Sequence, residues 1–275
     1  MTDIPRSVNY ILALAGGKAF QPAWEIANRI SLALLNFGSG SFIHNSGELY
    51  ALEFVKKSLG NDTRPIFIFD VGANVGEYTI AASRCFSDAA SSIIYSFEPT
   101  SKIFAILKNK VGNLRNVRAR QIGLSDVNRT AQIYQPQCYS GNASIYQRRL
   151  DHFNMKIYTN EAISLKKLDD FCKDEGIKHI HLLKLDVEGH ELNVLKGAGE
   201  LFQTNDIDFI QFEFGGCNID SRTYFQDFFY LLNPKYRIFR ILQHGLYPID
   251  RYKETYEVFI TTNYLAVSRE FLHSR

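Results

Sequence analysis

Cysteine is scarce in this chain: four residues in 275, at Cys85, Cys138, Cys172 and Cys217. No two of them form a CxxC pair. That spacing argues against a zinc ribbon or a disulfide framework and fits a reducing compartment, so a cytoplasmic protein is expected. No stretch approaches the ~18 consecutive apolar residues of a membrane span. Neither sign of charge dominates, because 31 basic residues face 29 acidic ones and leave a formal net charge of +2. There is no basic surplus to attract nucleic acid and no acidic tail. Internal repeats, low-complexity tracts and a Pro- or Gly-rich linker are also missing. Residues 8–15 are mostly apolar and end in Ala13-Leu14-Ala15, yet Asp3 offsets Arg6 and Asn9 interrupts the run. A secretory signal is therefore not expected.

What is present is apolar residue in quantity, 45% of the chain, enough for a sizeable core in one large domain or one domain with an extension. Residues 1–60 read as a helical N-terminal extension. Residues 23–35 and 47–59 carry apolar side chains at helical spacing, with Gly38-Ser39-Gly40-Ser41 between them. Trp24 is assigned to a core and His44 to a solvated loop. Residues 61–275 then form the main domain, in which strand and helix patterns alternate. The spacing predicts strands over 66–69, 92–97, 117–122, 179–185, 207–214, 236–242 and 256–267. It predicts helices over 76–86, 101–110, 164–175 and 191–196, and another capped by Ser221 that runs to Leu232. Such alternation predicts an α/β fold, a mostly parallel central sheet with helices on both faces. Residues 128–158 break the rhythm with Tyr134, Tyr139, Tyr146, Phe153 and Tyr158 around Gly141, Asn142 and Ser144. They read as a hairpin-like insertion near the site mouth, fitting a surface loop and a substrate platform equally.

The densest signal is the run from Asp70 to Tyr78, Asp-Val-Gly-Ala-Asn-Val-Gly-Glu-Tyr. A buried strand ends in an acid and turns through Gly72 and Gly76 into a helix, a layout that admits a ligand to the backbone and offers N–H groups to an anion. A dinucleotide fold wants G-x-G-x-x-G, and Asn74 stands where its middle glycine belongs. A P-loop wants Gly-Lys-Ser/Thr, and Gly76-Glu77-Tyr78 has no lysine. Asp70 and Glu77 would repel a polyphosphate and suit a cation or zwitterion. S-adenosylmethionine is such a ligand, with a cationic sulfonium and ammonium. Glu98, ending the second strand, is placed to accept from two ribose hydroxyls. Asp126, after the third, is placed to accept from an adenine amino group. In open parallel sheets ligands bind beyond the carboxyl ends of the strands, where all three acids fall.

Several blocks then resemble the signature of FkbM-type methyltransferases. They are Asp70 to Thr79, Phe97-Glu98-Pro99, Leu124-Ser125-Asp126, Leu165 to Phe171, Leu183 to Glu191, Leu195-Lys196-Gly197-Ala198 and Gln211-Phe212-Glu213-Phe214. The resemblance covers residues 65–215, and more weakly to 267. It implies a class I methyltransferase (Rossmann-like) fold that uses S-adenosyl-L-methionine, typically for O-methylation. Carried over, Asp70, Gly72, Asn74 and Gly76 shape the methionine end and Tyr78 lines it. Glu98 binds ribose, Ser125 and Asp126 bind adenine, and Asp186 faces the transferring methyl group.

An aliphatic hydroxyl must lose its proton during attack, which calls for a base or a metal. Asp186, His190 and Glu213 are the catalytic candidates. His190 is either a base, with an ordinary pKa of about 6.5, or a solvent-facing helix residue. Asp186 and Glu188 alternate, so in extended geometry one of them, Asp186, faces the site. Glu188 then caps the next helix. Asp186 with Glu213 could hold a divalent cation, which ranks below metal-free catalysis. No other metal site is expected: His179 and His181 have no cysteine or acid at ligand spacing and read as core or edge residues. The expected reaction is O-methylation of a sugar hydroxyl, in a glycan or glycosylated natural product. The acceptor is then a small molecule or glycan, not a nucleic acid. Alternatives are N- or C-methylation of a lipid or secondary metabolite, and an inactive cofactor-binding assembly subunit.

Overall fold

A computed structural model describes residues 15–39, 43–60, 65–87, 91–136, 143–155 and 157–273. Its centre is an eight-stranded sheet. β1 (Ile66–Val71), β2 (Ser92–Phe97) and β3 (Val117–Arg120) form one half. β4 (Gly123–Ser125), β5 (Arg129–Pro136) and β6 (Ile157–Lys167) make a separate three-stranded sheet in the order β4-β6-β5. The chain then returns through β7 (Ile180–Leu185), β8 (Ile207–Phe214), β9 (Tyr236–Leu242), β10 (Gly245–Ile249) and β11 (Thr262–Ser268). The large sheet runs β10-β9-β11-β8-β7-β1-β2-β3. The pairs from β3 through β8 are parallel, while β11 is antiparallel to β8 and to β9.

The order reverses between β1 and β7, which is where an open parallel sheet forms a ligand crevice. β7 and β8 are buried along their whole length, as expected of strands covered on both faces. One apolar layer joins Phe69, Phe97 and Leu183 to Phe171, Leu195 and Phe228. The opposite layer joins Ile68, Ile94 and Leu182 to Ala82, Leu107, Leu52 and Val55. The helix Glu48–Leu59 thus lies in the same core as β1 and β2. Asn36 ties the preceding segment to the sheet, donating through Nδ2 to the carbonyls of Ser46 and Ile241 at 2.9 Å each.

Several local expectations give way to tertiary contacts. Trp24 is not in a core: it is 50% exposed, its indole N–H donating to Ala15 O, and the helix Gln21–Leu34 buries no residue. Residues 164–167 are strand rather than helix, because Ile163 and Leu165 pack inward while β6 pairs with β5 from Arg129 onward. The helix starts only at Leu168. The third expected strand divides, β3 staying in the large sheet and β4 pairing with β6. Ser221 ends a short helix, Cys217–Ser221, and does not cap the next one. The helix Phe225–Leu232 is capped by Tyr224 with Asp227. The last strand begins at Thr262 rather than residue 256. The antiparallel pairing of β5 with β6 gives the hairpin read over 128–158. Tyr139, Gly141, Asn142, Cys138 and the apolar run at 8–14 lie outside the described residues.

Candidate functional site

The turn after β1 is built by steric necessity. Gly72 adopts φ +83°, and a Cβ there would sit 1.8 Å from the backbone oxygen of Asp186. Its small size therefore lets the ends of β1 and β7 meet, with Asp186 N donating to Val71 O at 3.0 Å. Asn74 follows with φ +48°. Gly76, at φ +89°, has Leu107 2.7 Å from where its Cβ would be. The turn is thus pinned by protein on both sides.

Beyond these strand ends lies a narrow cavity of about 80 Å³. Gly72, Asn74, Glu98 and Asp186 supply its polar rim, and Ile103, Leu124, Ile133, Ile145, Ile163 and Leu165 its apolar wall. Glu98 is 7% exposed. Its Oε1 accepts from the backbone N–H of Thr100 at 2.9 Å and from that residue's hydroxyl at 2.6 Å. Burial raises its pKa against those two bonds.

Other expected cofactor residues stand behind this rim. Asp70 is fully buried, accepting from the Thr79 hydroxyl at 2.6 Å and facing Lys184 at 3.5 Å. Tyr78 points into the core, its hydroxyl donating to Gln211 Oε1 at 3.1 Å. Ser125 and Asp126 flank His190 instead of lining the cavity.

His190 does not point to solvent. It is 3% exposed, with Nε2 2.9 Å from the Ser125 hydroxyl and Nδ1 3.1 Å from the Tyr146 hydroxyl. Ser125 donates onward to Asp126 Oδ1 at 2.8 Å. One proton arrangement satisfies all three bonds: Tyr146 donates to Nδ1, and Nε2–H donates to Ser125. Burial lowers the imidazole to about 4. With both nitrogens taken and its basicity suppressed, His190 joins the insertion to β4 and is a poor base.

A second cavity adjoins the first and shares Asn74, Asp186 and Glu188 with it. Its further wall includes Arg148, Phe153, Glu213, Cys217 and Phe259. Both Asp186 and Glu188 therefore face ligand space. The expected alternation fails because the chain leaves strand geometry after Leu185, with Glu188 at φ +52°. Glu188 is not the helix cap either. The N-cap position is His190, with no side-chain cap bond, and Glu191 instead braces the preceding turn, its Oε1 accepting from Val187 N at 2.9 Å and Gly189 N at 3.1 Å. Arg148, from the insertion, donates to Glu188 Oε2 at 2.6 Å and lies 3.6 Å from Asp220. Ser144 Oγ donates to the Glu188 carbonyl at 2.7 Å. The segment 143–155 thus bonds directly to the turn that carries Asp186.

Burial, and then Asp186, raise Glu188 to about 8, opposed by Arg148. Burial, then the neighbouring Asp186, Glu188 and Glu191, push Glu213 well above the usual carboxylate range.

Two participants were given no role from the sequence. Lys184 has 5% side-chain exposure and lies 3.1 Å from Asp186 Oδ2. Burial opposes its charge, but Asp186, Asp70 and Glu48 outweigh that and raise its pKa. Glu48 comes from the N-terminal segment and accepts from Gln211 Nε2 at 2.8 Å. A charged residue alternating within an apolar strand, as Lys184 does, was the only available sign. At the opposite end of the sheet, strand pairing brings Asp208 to 2.9 Å from His179, an acid partner that linear spacing hid. His181 Nδ1 accepts from Phe67 N at 3.1 Å.

The strand order, the switch-point crevice and the acid-rimmed cavity together describe a class I methyltransferase architecture. A profile of the methyltransferase FkbM domain matches residues 70–238. The chain belongs to the FkbM methyltransferase family. Methyltransferase 1 of Beauveria bassiana (strain ARSEF 2860) is 30% identical over 49% of this chain and 59% of its own length. Methyltransferase sdnD of Sordaria araneosa is 28% identical, over 49% and 61%. The 2-O-methyltransferase NoeI of Sinorhizobium fredii (strain NBRC 101917 / NGR234) is 25% identical, over 48% and 57%. The chain thus spans less than two thirds of each of these relatives. A crystal structure of methyltransferase FkbM from Methylobacillus flagellatus KT aligns at 15% identity and TM-score 0.45, covering 74% of this chain and 44% of that one. Among the described residues, no helix of this FkbM-family chain is long and apolar enough to cross a membrane.

Proposed function

We propose that this chain is an S-adenosyl-L-methionine-dependent O-methyltransferase acting on a hydroxyl of a sugar, in a glycan or glycosylated natural product. One observation carries the reading: an apolar cavity at the sheet's switch point has acids, not phosphate-binding lysines, at its polar rim. That donor set fits a cationic nucleoside. Glu98 would hold the ribose, the wall from Ile103 to Leu165 the adenine, and the Gly72–Asn74 turn with Asp186 the methionine end. Asp70, Gly76 and Tyr78 would act from behind, fixing the turn, while Ser125 and Asp126 hold His190 against the adenine side.

When bound, S-adenosylmethionine supplies the methyl group. The chain's own part is to hold an acceptor hydroxyl in line with it, which supplies much of the rate in such displacements. Asp186 borders both cavities and would take the hydroxyl proton, with Lys184 fixing its Oδ2. Glu213 faces the acceptor from below. Phe153 and Phe259 offer flat apolar faces to a sugar ring, while Arg148 and Glu188 offer hydrogen bonds to its hydroxyls. The likeness to NoeI, a 2-O-methyltransferase, supports an oxygen acceptor. The free thiols of Cys85, Cys172 and Cys217 accord with a cytoplasmic setting.

Thermal shift with S-adenosylmethionine, S-adenosylhomocysteine and NAD tests the cofactor, with stabilisation by the first two only as the expected result. A labelled-methyl transfer assay over nucleotide sugars, glycolipids and glycan fragments tests the acceptor. Stabilisation by NAD alone would overturn the methyl-donor reading, and transfer to amines alone would overturn the hydroxyl reading.

A further inference from the structure

The floor of the acceptor cavity holds a group that neither the cofactor nor the fold accounts for. Glu213 is 7% exposed, yet among the described residues its carboxyl has no hydrogen bond and no ion pair. A buried carboxyl without a partner is costly. Around it stand Asp186, Glu188 and Glu191. The two nearby cations are already engaged, Lys184 with Asp186 and Asp70 and Arg148 with Glu188 and Asp220. Acids therefore outnumber cations around Glu213, which has no protein partner among the described residues.

Three elements converge at this point. β8 delivers Glu213, the left-handed turn after β7 delivers Glu188, and the short helix Cys217–Ser221 delivers Cys217. A carboxylate oxygen of each acid and the Cys217 sulfur all lie within 4.8 Å of one another. Arg148 takes only Oε2 of Glu188, and the thiol's one hydrogen bond is a weak one to Asn218 Oδ1 at 3.4 Å.

We propose that Glu188, Glu213 and Cys217 form a binding site for a borderline divalent transition-metal cation of the zinc, cobalt or manganese type. Magnesium and calcium prefer all-oxygen sets, whereas a thiolate beside two carboxylates suits a softer ion. Binding displaces the thiol proton and the protons held by the two carboxyls to solvent, so affinity rises with pH. All three residues line the acceptor cavity. An acceptor hydroxyl held there would be acidified, with Asp186 beside it to receive the proton. That role rests on the methyltransferase reading, but the site itself does not.

The test is a titration of the chelator-treated 275-residue chain with cobalt(II), followed by absorption. A near-ultraviolet sulfur-to-cobalt charge-transfer band saturating at one equivalent is expected. Cys217→Ser should lose that band, and Glu213→Gln should weaken cobalt binding at least tenfold. Circular dichroism checks the folding of each variant, and Glu188→Gln, with the same expected weakening, replaces any that fails. No charge-transfer band in the parent at excess cobalt, or an undiminished band in Cys217→Ser, overturns the site. S-adenosylhomocysteine thermal shifts are read on the same chelated samples. A retained shift without the cobalt band removes the metal site alone, and a cobalt band without the shift removes the cofactor reading alone.

Discussion

Replacing Lys184 by Met tests how the acids beneath the site are held. The Lys184 ammonium lies 3.1 Å from Asp186 Oδ2 and 3.5 Å from Asp70 Oδ1, and its side chain is 5% exposed. Asp70 is 0% exposed and its Oδ1 accepts no hydrogen bond. Met keeps the bulk and the contact with the Tyr78 ring, which the ammonium approaches to 5.0 Å, but it removes the charge facing Asp70. Stranding one partner of a buried ion pair costs about 3–5 kcal/mol. The Thr79 hydroxyl still donates to Asp70 Oδ2, which places the expected loss near the lower end, about 3 kcal/mol. At about 2–4 °C per kcal/mol for a chain of this size, Tm falls by roughly 6–12 °C. Adding Asp70→Asn removes the stranded charge and is expected to recover at least half of the loss. Urea and thermal unfolding at neutral pH read both variants. A single variant within about 1 kcal/mol of the parent, below any buried-pair cost, would refute the pairing. So would a double variant no more stable than the single.

Glu98→Gln removes a charged acceptor at the ribose position, worth about 1.5–3 kcal/mol. Calorimetry should show S-adenosylhomocysteine binding weakened roughly 10- to 100-fold, and unchanged affinity would contradict the assignment. Burial raises Glu48 to about 7 and Glu191 to about 7, so in the folded state both keep protons that the unfolded chain releases near pH 4.5. Their contribution is present in full below pH 4.5 and is lost as pH rises through 7. Glu48→Gln should therefore flatten the fall in stability over that window; an unaltered slope in urea melts would sink this. Trp24, half exposed, should emit at the long-wavelength position of a hydrated indole and be quenched by iodide. A blue-shifted, protected emission would show that face covered in solution.

Much of the site was legible because its residues are chained to strand ends. Gly72, Asn74, Glu98 and Asp186 follow apolar strands directly, and in a parallel sheet that position alone puts them at one rim. His190 was legible as a site neighbour, with a base and a solvent-facing residue both left open, since desolvation and the bond from Tyr146 arise only when the insertion folds back. Glu188 was misread for a related reason: strand alternation does not survive a left-handed turn. Lys184 and Glu48 escaped because their partners are brought together by sheet pairing and by packing of the N-terminal helix. The helix expected over 164–175 failed in its first turn, where pairing with β5 outweighed local spacing.

By itself the sequence determined the alternation of strands and helices, the glycine turn, and the acids that close each strand. These are local facts, set by periodicity and by which residues tolerate a tight turn. Tertiary structure alone decided which acids meet ligand space and which are buried against a lysine. It also decided that an arginine from the insertion reaches the turn after β7, and that Glu213 lacks a partner among the described residues. Those outcomes depend on dielectric and on neighbours distant along the chain, which residue order does not encode.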